Sequence, residues 1–104
     1  MGLFGFGKKK SPCDIAPENA QFVMPIEDVF NISGAGVVLI GTVAMGTVGV
    51  YDTVDISCGI SAEITGIEYN GSSIATAEQG KRVGLLFADM IPNSVRKGMV
   101  VYKL

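Results

Sequence analysis

Residues 29–51 read "VFNISGAGVVLIGTVAMGTVGVY", a run of 23 residues without a charged side chain, bounded by Asp28 and Asp52. About 20 apolar residues are enough for a helix to cross the hydrocarbon layer of a membrane, so the length of this run fits a spanning helix. The composition of the run does not fit a spanning helix, because it contains five glycines, four polar residues and only one leucine. The apolar residues are mainly valine, which favours strands.

Turn signals divide this run into pieces of strand length. "SGAG" at 33–36 and "MG" at 45–46 are typical of turns between strands. We therefore predict strands at 29–32, 37–44 and 49–57. A membrane-spanning helix over the same residues is the alternative.

The rest of the chain repeats the same pattern of short apolar runs separated by turn residues. Asn70-Gly71 is the strongest hairpin signal, because both residues accept the positive φ angles of a tight turn. Six or seven short strands at this spacing favour a closed barrel, since closure removes the exposed edges of a small sheet. The further strand-like runs lie at 53–57, 61–69, 74–77, 82–88 and 99–104.

The start of this region contains a local irregularity. Phe22, Met24 and Ile26 alternate with their neighbours, as in a strand with one buried face. Pro25 lacks an N–H group, and the apolar pattern shifts register at the acidic pair that follows Ile26. We predict an edge position or a β-bulge there.

Composition excludes several classes of function. The 104 residues include no histidine and two cysteines, which excludes imidazole bases, Ser-His-Asp triads and a complete cysteine-based zinc site. We expect no catalytic residue, no metal and no cofactor. Residues 21–104 carry five basic and eight acidic side chains, a net charge of −3, so the body lacks the broad basic face of a non-specific nucleic-acid binder.

The N-terminal residues 1–20 differ from the rest in composition. They mix Gly, Pro and Lys without a period, so we predict a flexible tail followed by one domain at 21–104. No signal-peptide pattern is present, and we expect a cytoplasmic protein. The apolar residues Leu3, Phe4 and Phe6 precede three lysines, and this leaves one alternative function, a membrane-peripheral adaptor anchored by the tail.

Four segments resemble a known family when they are read in order. They are "FVMPIEDVFNISGAGVVLIGTV" at 22–43, "ITGIEY" at 64–69, "GKRVGLLF" at 80–87 and "RKGMVVYKL" at 96–104. Together they resemble the second domain of elongation factor Tu and of related translational GTPases. The resemblance implies an all-β fold, a small closed six-stranded Greek-key barrel. The chain has no G-x-x-x-x-G-K-[ST] loop, so we expect no GTP binding and a free-standing module without the GTPase domain.

The resemblance also implies a binding site. In elongation factor Tu one face of this barrel receives the 3′-terminal adenosine of aminoacyl-tRNA. The positions that would line the pocket here are Glu27, Ile32, Gly34, Val38 and Leu86.

The polar partners of that pocket differ from the family pattern. Ala35 stands where the family has an arginine, Arg82 where it has an asparagine, and Thr42 and Met45 replace basic residues. Without these cations the charge-assisted contacts to a tRNA end are lost, so we expect no tight tRNA binding. The sequence thus predicts a non-enzymatic binding module whose partner is a protein, a ribosomal component or an RNA end.

Overall fold

The computed structural model describes residues 15–57 and 59–104. The predicted tail lies mostly outside the described residues, and so does the segment on which the membrane-anchored alternative depends. Residues 15–20 are described, and Ala16 and Ala20 are buried against Val23 and Val100.

The described residues form strands and turns and contain no helix, which confirms the all-β prediction. In this part of the chain, no helix has the length and apolarity needed to cross a membrane. Residues 29–51 instead contribute to three strands. The strands are β1 Phe22–Pro25, β2 Asp28–Ile32, β3 Gly36–Thr42, β4 Thr47–Gly49, β5 Thr53–Ile56, β6 Ile60–Glu63, β7 Gly66–Tyr69, β8 Ser72–Ile74, β9 Thr76–Glu78, β10 Arg82–Phe87 and β11 Val100–Lys103.

Antiparallel pairing arranges these strands in three sheets. The orders are β1-β11-β5-β6, β2-β3-β10-β7-β8 and β4-β9. None of these sheets closes on itself within the described residues, so the predicted closed barrel of six strands is not confirmed. The strands are shorter and more numerous than predicted, because turns divide several of the expected runs.

The break between β1 and β2 shows how one predicted strand becomes two. β1 pairs with β11, whereas β2 pairs with β3. Between the two strands, the Ile26 N–H donates to the carbonyl oxygen of Met99 at 2.9 Å, and the Glu27 N–H donates to that of Ile40 at 2.7 Å. The irregularity predicted near Pro25 is therefore the point where the chain changes sheets.

The inward faces of all three sheets meet in one hydrophobic core. Val37 and Leu39 of β3 alternate with partly exposed neighbours, as the period of a half-buried strand requires. Burial of such side chains contributes about 1.5–3 kcal/mol each to folding. The largest fully buried side chains are Phe22, Phe87, Met24, Leu39, Ile56, Ile64, Ile67 and Leu85.

The hairpin predicted at Asn70-Gly71 is confirmed. Asn70 and Gly71 connect β7 and β8 with φ angles of 53° and 82°. Both angles lie in the left-handed region that a type I′ turn needs. This turn holds β8 beside β7, at one border of the candidate site.

Candidate functional site

The outward face of the five-stranded sheet brings together most of the predicted site residues. The register aligns Phe30 of β2, Val38 of β3, Leu86 of β10 and Gly66 of β7 in one row. Directly paired residues of an antiparallel sheet point to the same face, so these four positions share one surface. Phe30 is 49% exposed although it is a large apolar residue.

A cavity of about 180 Å³ opens on this face. Its walls are largely apolar, from Ile32, Val38 and Leu86, and Glu68 supplies a carboxylate at the border. The full set of lining residues is Ile32, Ala35, Val38, Gly66, Ile67, Glu68, Ser73, Gly84 and Leu86. Four of the seven predicted site residues thus meet in one cavity.

Two glycines make room for this cavity. A Cβ atom at Gly84 would lie 3.1 Å from Val38 Cγ1, and one at Gly66 would lie 3.5 Å from Leu86 Cδ2. Larger side chains at these positions would project into the space between the aliphatic walls. The cavity therefore depends on two residues that have no side chain.

A second depression, of about 330 Å³, adjoins the cavity along β10. Both are lined by Val38, Glu68 and Gly84, and the second also reaches Ile40 and Arg82. The two depressions form one continuous surface, with the Glu68 carboxylate between them.

Arg82 and Glu27 form an ion pair at the far end of this surface. Arg82 Nε donates to Glu27 Oε1 at 2.9 Å. The side chains are 61% and 42% exposed, so water screens much of their attraction. The guanidinium at the site is thus partly neutralised by a neighbouring carboxylate.

Gly34 is the predicted site residue that the structure places elsewhere. It lies in the turn between β2 and β3 and lines an open depression of about 590 Å³ with Asn31, Ser33 and Pro92. Ile32 borders both this depression and the cavity. Gly34 therefore does not line the cavity that Val38 and Leu86 form.

Sequence reasoning missed five residues that line the cavity: Gly66, Ile67, Glu68, Ser73 and Gly84. A signal for two of them was available, because Gly66 and Glu68 alternate with the buried Ile67 in "ITGIEY". Alternation shows that they share a face, but only strand order places that face beside β10.

The described part of the chain holds no group of three or more carboxylate, histidine or cysteine side chains placed to bind a metal ion. Among the described residues, the carboxyl group of Asp52 has a shifted pKa, and it lies outside the cavity. The N–H of Gly49 and the ammonium of Lys103 hold the pKa of Asp52 below its ordinary value. Its Oδ2 accepts from them at 2.8 and 3.0 Å.

The fold is an all-β domain with a small, largely apolar cavity on the outward face of one sheet. Solved structures of two translation elongation factors contain a similar domain. One is the elongation factor SelB from Methanococcus maripaludis in its apo form, with a TM-score of 0.76 and 29% identity. The other is a bacterial selenocysteine-specific elongation factor, EF-Sec, with a TM-score of 0.74 and 22% identity.

These similarities extend over most of this chain and a small part of each factor. The alignment with SelB covers 83% of this chain and 19% of that protein, and the alignment with EF-Sec covers 81% and 15%. The sequence matches none of the protein-family models. The chain contains a β domain of the translation elongation factor type, and the resemblance inferred from its sequence is confirmed.

Proposed function

We propose that this chain is a non-enzymatic, cytoplasmic binding module of the translation-factor barrel type, and that the cavity between β2, β3, β10 and β7 is its binding surface. One observation carries the proposal. Ile32, Ala35, Val38 and Leu86, identified by their resemblance to a nucleotide-binding pocket, line the same cavity of about 180 Å³.

The chemistry of the cavity favours a flat base at an RNA 3′ end. Aliphatic walls from Val38 and Leu86 suit the face of a base, and the Glu68 carboxylate can accept a hydrogen bond from an exocyclic amine. Bases of single-stranded RNA ends are accessible for such recognition.

The charges of the site favour weak binding. Arg82 is already paired with Glu27, and the body of the chain has a net charge of −3, so attraction of phosphates is small. Recognition of the RNA then depends on its terminal base and not on its phosphate backbone. We propose no tight binding of tRNA, no GTP and no cofactor.

A titration followed by NMR tests this function. The full chain labelled with ¹⁵N is titrated with an aminoacylated CCA fragment and, separately, with ribosomal subunits. We expect shift changes at the amides of Ile32, Val38, Gly66 and Leu86. Changes confined to other surfaces, or none at millimolar fragment, would reject the proposed site.

A variant that fills the cavity makes the titration specific. Gly66→Val places methyl groups beside Leu86 in a strand that accommodates β-branched residues. We expect it to abolish the fragment-induced shifts while the spectrum stays dispersed. Ser72→Val, on exposed β8 outside the cavity, is the matched control and should bind as the wild type does.

A further inference from the structure

A second groove, of about 350 Å³, lies on another part of the molecule. It is lined by Ile60, Ser61, Ala62, Glu63, Thr65, Phe87, Asp89, Met90, Ile91 and Ser94. It shares none of these residues with the cavity assigned to the proposed function. Its volume is within the range of about 300–1,000 Å³ that is usual for ligand sites.

One wall of the groove is the free edge of a strand. β6 is the last strand of its sheet in the described structure, with β5 on one side only. All four residues of β6 line the groove, although successive side chains of a strand point to opposite faces. A groove that touches both kinds of side chain runs along the strand edge, where backbone N–H and C=O groups have no strand neighbour.

The opposite wall is formed by the last residue of β10 and the segment that follows it. Phe87 and Met90 are buried there, whereas Ile91 is 73% exposed. The Ser94 hydroxyl donates to the carbonyl oxygen of Ile91 at 2.6 Å, which closes a turn and fixes this wall. The groove thus combines an apolar side with a strand edge.

The charge of the groove is of one sign. Glu63 and Asp89 are exposed carboxylates at its border, and no lysine or arginine is among its lining residues in the described structure. Within the described part, neither carboxylate takes part in an ion pair. An occupant with cationic side chains would therefore be complementary.

We propose that this groove binds an extended basic peptide of a partner protein, which adds a strand to the edge of β6. Backbone hydrogen bonds to residues 60–63 supply affinity in this mode, and alternate side chains supply specificity. Apolar side chains of the peptide contact Ile60 and Ile91, and lysines or arginines contact Glu63 and Asp89.

The test uses the full chain and an acetylated, amidated hexapeptide of alternating lysine and valine. We expect shift changes at the amides of residues 60–63 and 87–94, and slower hydrogen exchange within β6. A hexapeptide of alternating glutamate and valine should not bind. Glu63→Gln and Asp89→Asn should each weaken binding up to about fivefold, as an exposed charge pair allows, while Glu78→Gln, on β9 outside both the groove and the cavity, should not.

Several outcomes would overturn the proposal. They are equal binding of the glutamate peptide, shift changes outside the groove, and unaltered affinity in both groove variants. Shift changes at residues 60–63 caused by protein concentration alone would assign the edge to a second copy of the chain. Loss of spectral dispersion would identify a variant that does not fold. In that case the proposal is tested by comparing the binding of the lysine and glutamate peptides to the wild-type protein.

Discussion

The Asp52 carboxylate joins parts of the chain that are far apart in sequence. Its Oδ2 accepts from the Gly49 N–H within the turn between β4 and β5, and from Lys103 Nζ on β11. The main-chain oxygen of Asp52 also accepts from the Ile64 N–H at 3.0 Å. These bonds fix the turn that ends the long uncharged run.

We expect Asp52→Asn to lower the free energy of unfolding by about 1 kcal/mol at pH 7, since the charged acceptor is half-buried and partly screened. The pKa of Asp52 is lowered in the folded state, so its stabilising effect is complete above the unfolded-state pKa of about 3.9. The effect is lost as the pH falls through the folded-state pKa. Urea unfolding of both proteins across this pH range measures the difference.

A matched control separates this effect from the loss of any carboxylate. Asp89→Asn removes an exposed acid that forms no ion pair in the described structure, and we expect a change of less than about 0.5 kcal/mol at pH 7. A pH-independent difference between wild type and Asp52→Asn would contradict the role assigned to the ionised group.

The Arg82–Glu27 pair differs from Asp52 in that both of its side chains are exposed, so water screens their attraction more strongly. A double-mutant cycle with Arg82→Gln and Glu27→Gln should give a coupling free energy of about 0.2–1 kcal/mol, the range of exposed ion pairs. Urea unfolding in low salt measures the coupling, and added salt should reduce it. A coupling of several kcal/mol would contradict the weak, solvent-screened interaction expected of an exposed pair.

At the level of elements, the corner between β3 and β4 lies close to the start of β1 because a glycine occupies it. Gly46 has a φ angle of 80°, and a Cβ atom at this position would collide with the main-chain oxygen of Gln21. The neighbouring Met45 forms an isolated bridge with Val23 of β1. The corner thus holds the middle of the uncharged run against the first strand.

Gly46→Ala should therefore destabilise the protein by more than about 2 kcal/mol, because a backbone clash adds to the left-handed strain. Gly71→Ala is the control, since its φ angle is 82° but a Cβ there meets no atom within 4 Å. We expect it to cost about 1 kcal/mol, the strain alone. Thermal or urea unfolding compares the two, and equal losses would show that the contact with Gln21 relaxes freely.

For the whole molecule, stability is expected to be unequal between central and edge strands. β3 and β10 are each flanked by two strands, and Leu39 and Leu85 on them are fully buried. Hydrogen exchange should be slowest in these two strands and fastest in the edge strands β6 and β8. Exchange measured amide by amide checks this order. Early exchange of β3 would contradict the central position of the five-stranded sheet.

Residue patterns predicted local structure well and the arrangement of strands poorly. Asn70-Gly71 and the turns near residues 33–36 and 45–46 were identifiable because their backbone conformations require particular residue types. The run at 49–57 was predicted as one strand, but the turn at Tyr51 and Asp52 divides it. Asp52 stabilises that turn through Lys103, a residue 51 positions away that local patterns do not include.

The candidate site was predicted in part. Ile32, Ala35, Val38 and Leu86 came from a family resemblance and do line one cavity. Gly66 and Gly84 were missed, because a glycine in a strand gives no sign of the space that its neighbours leave around it. The binding role of this cavity is still a prediction.

The sequence by itself determined that the chain is built of short strands, since glycines divide its one long apolar run before a helix can form. Only the tertiary structure decided which strands are neighbours, where the chain changes sheets and which outward residues enclose a cavity. The physical reason is that backbone hydrogen bonds are nearly the same for any two strands. The choice of neighbour therefore depends on how the inward side chains of distant segments pack together.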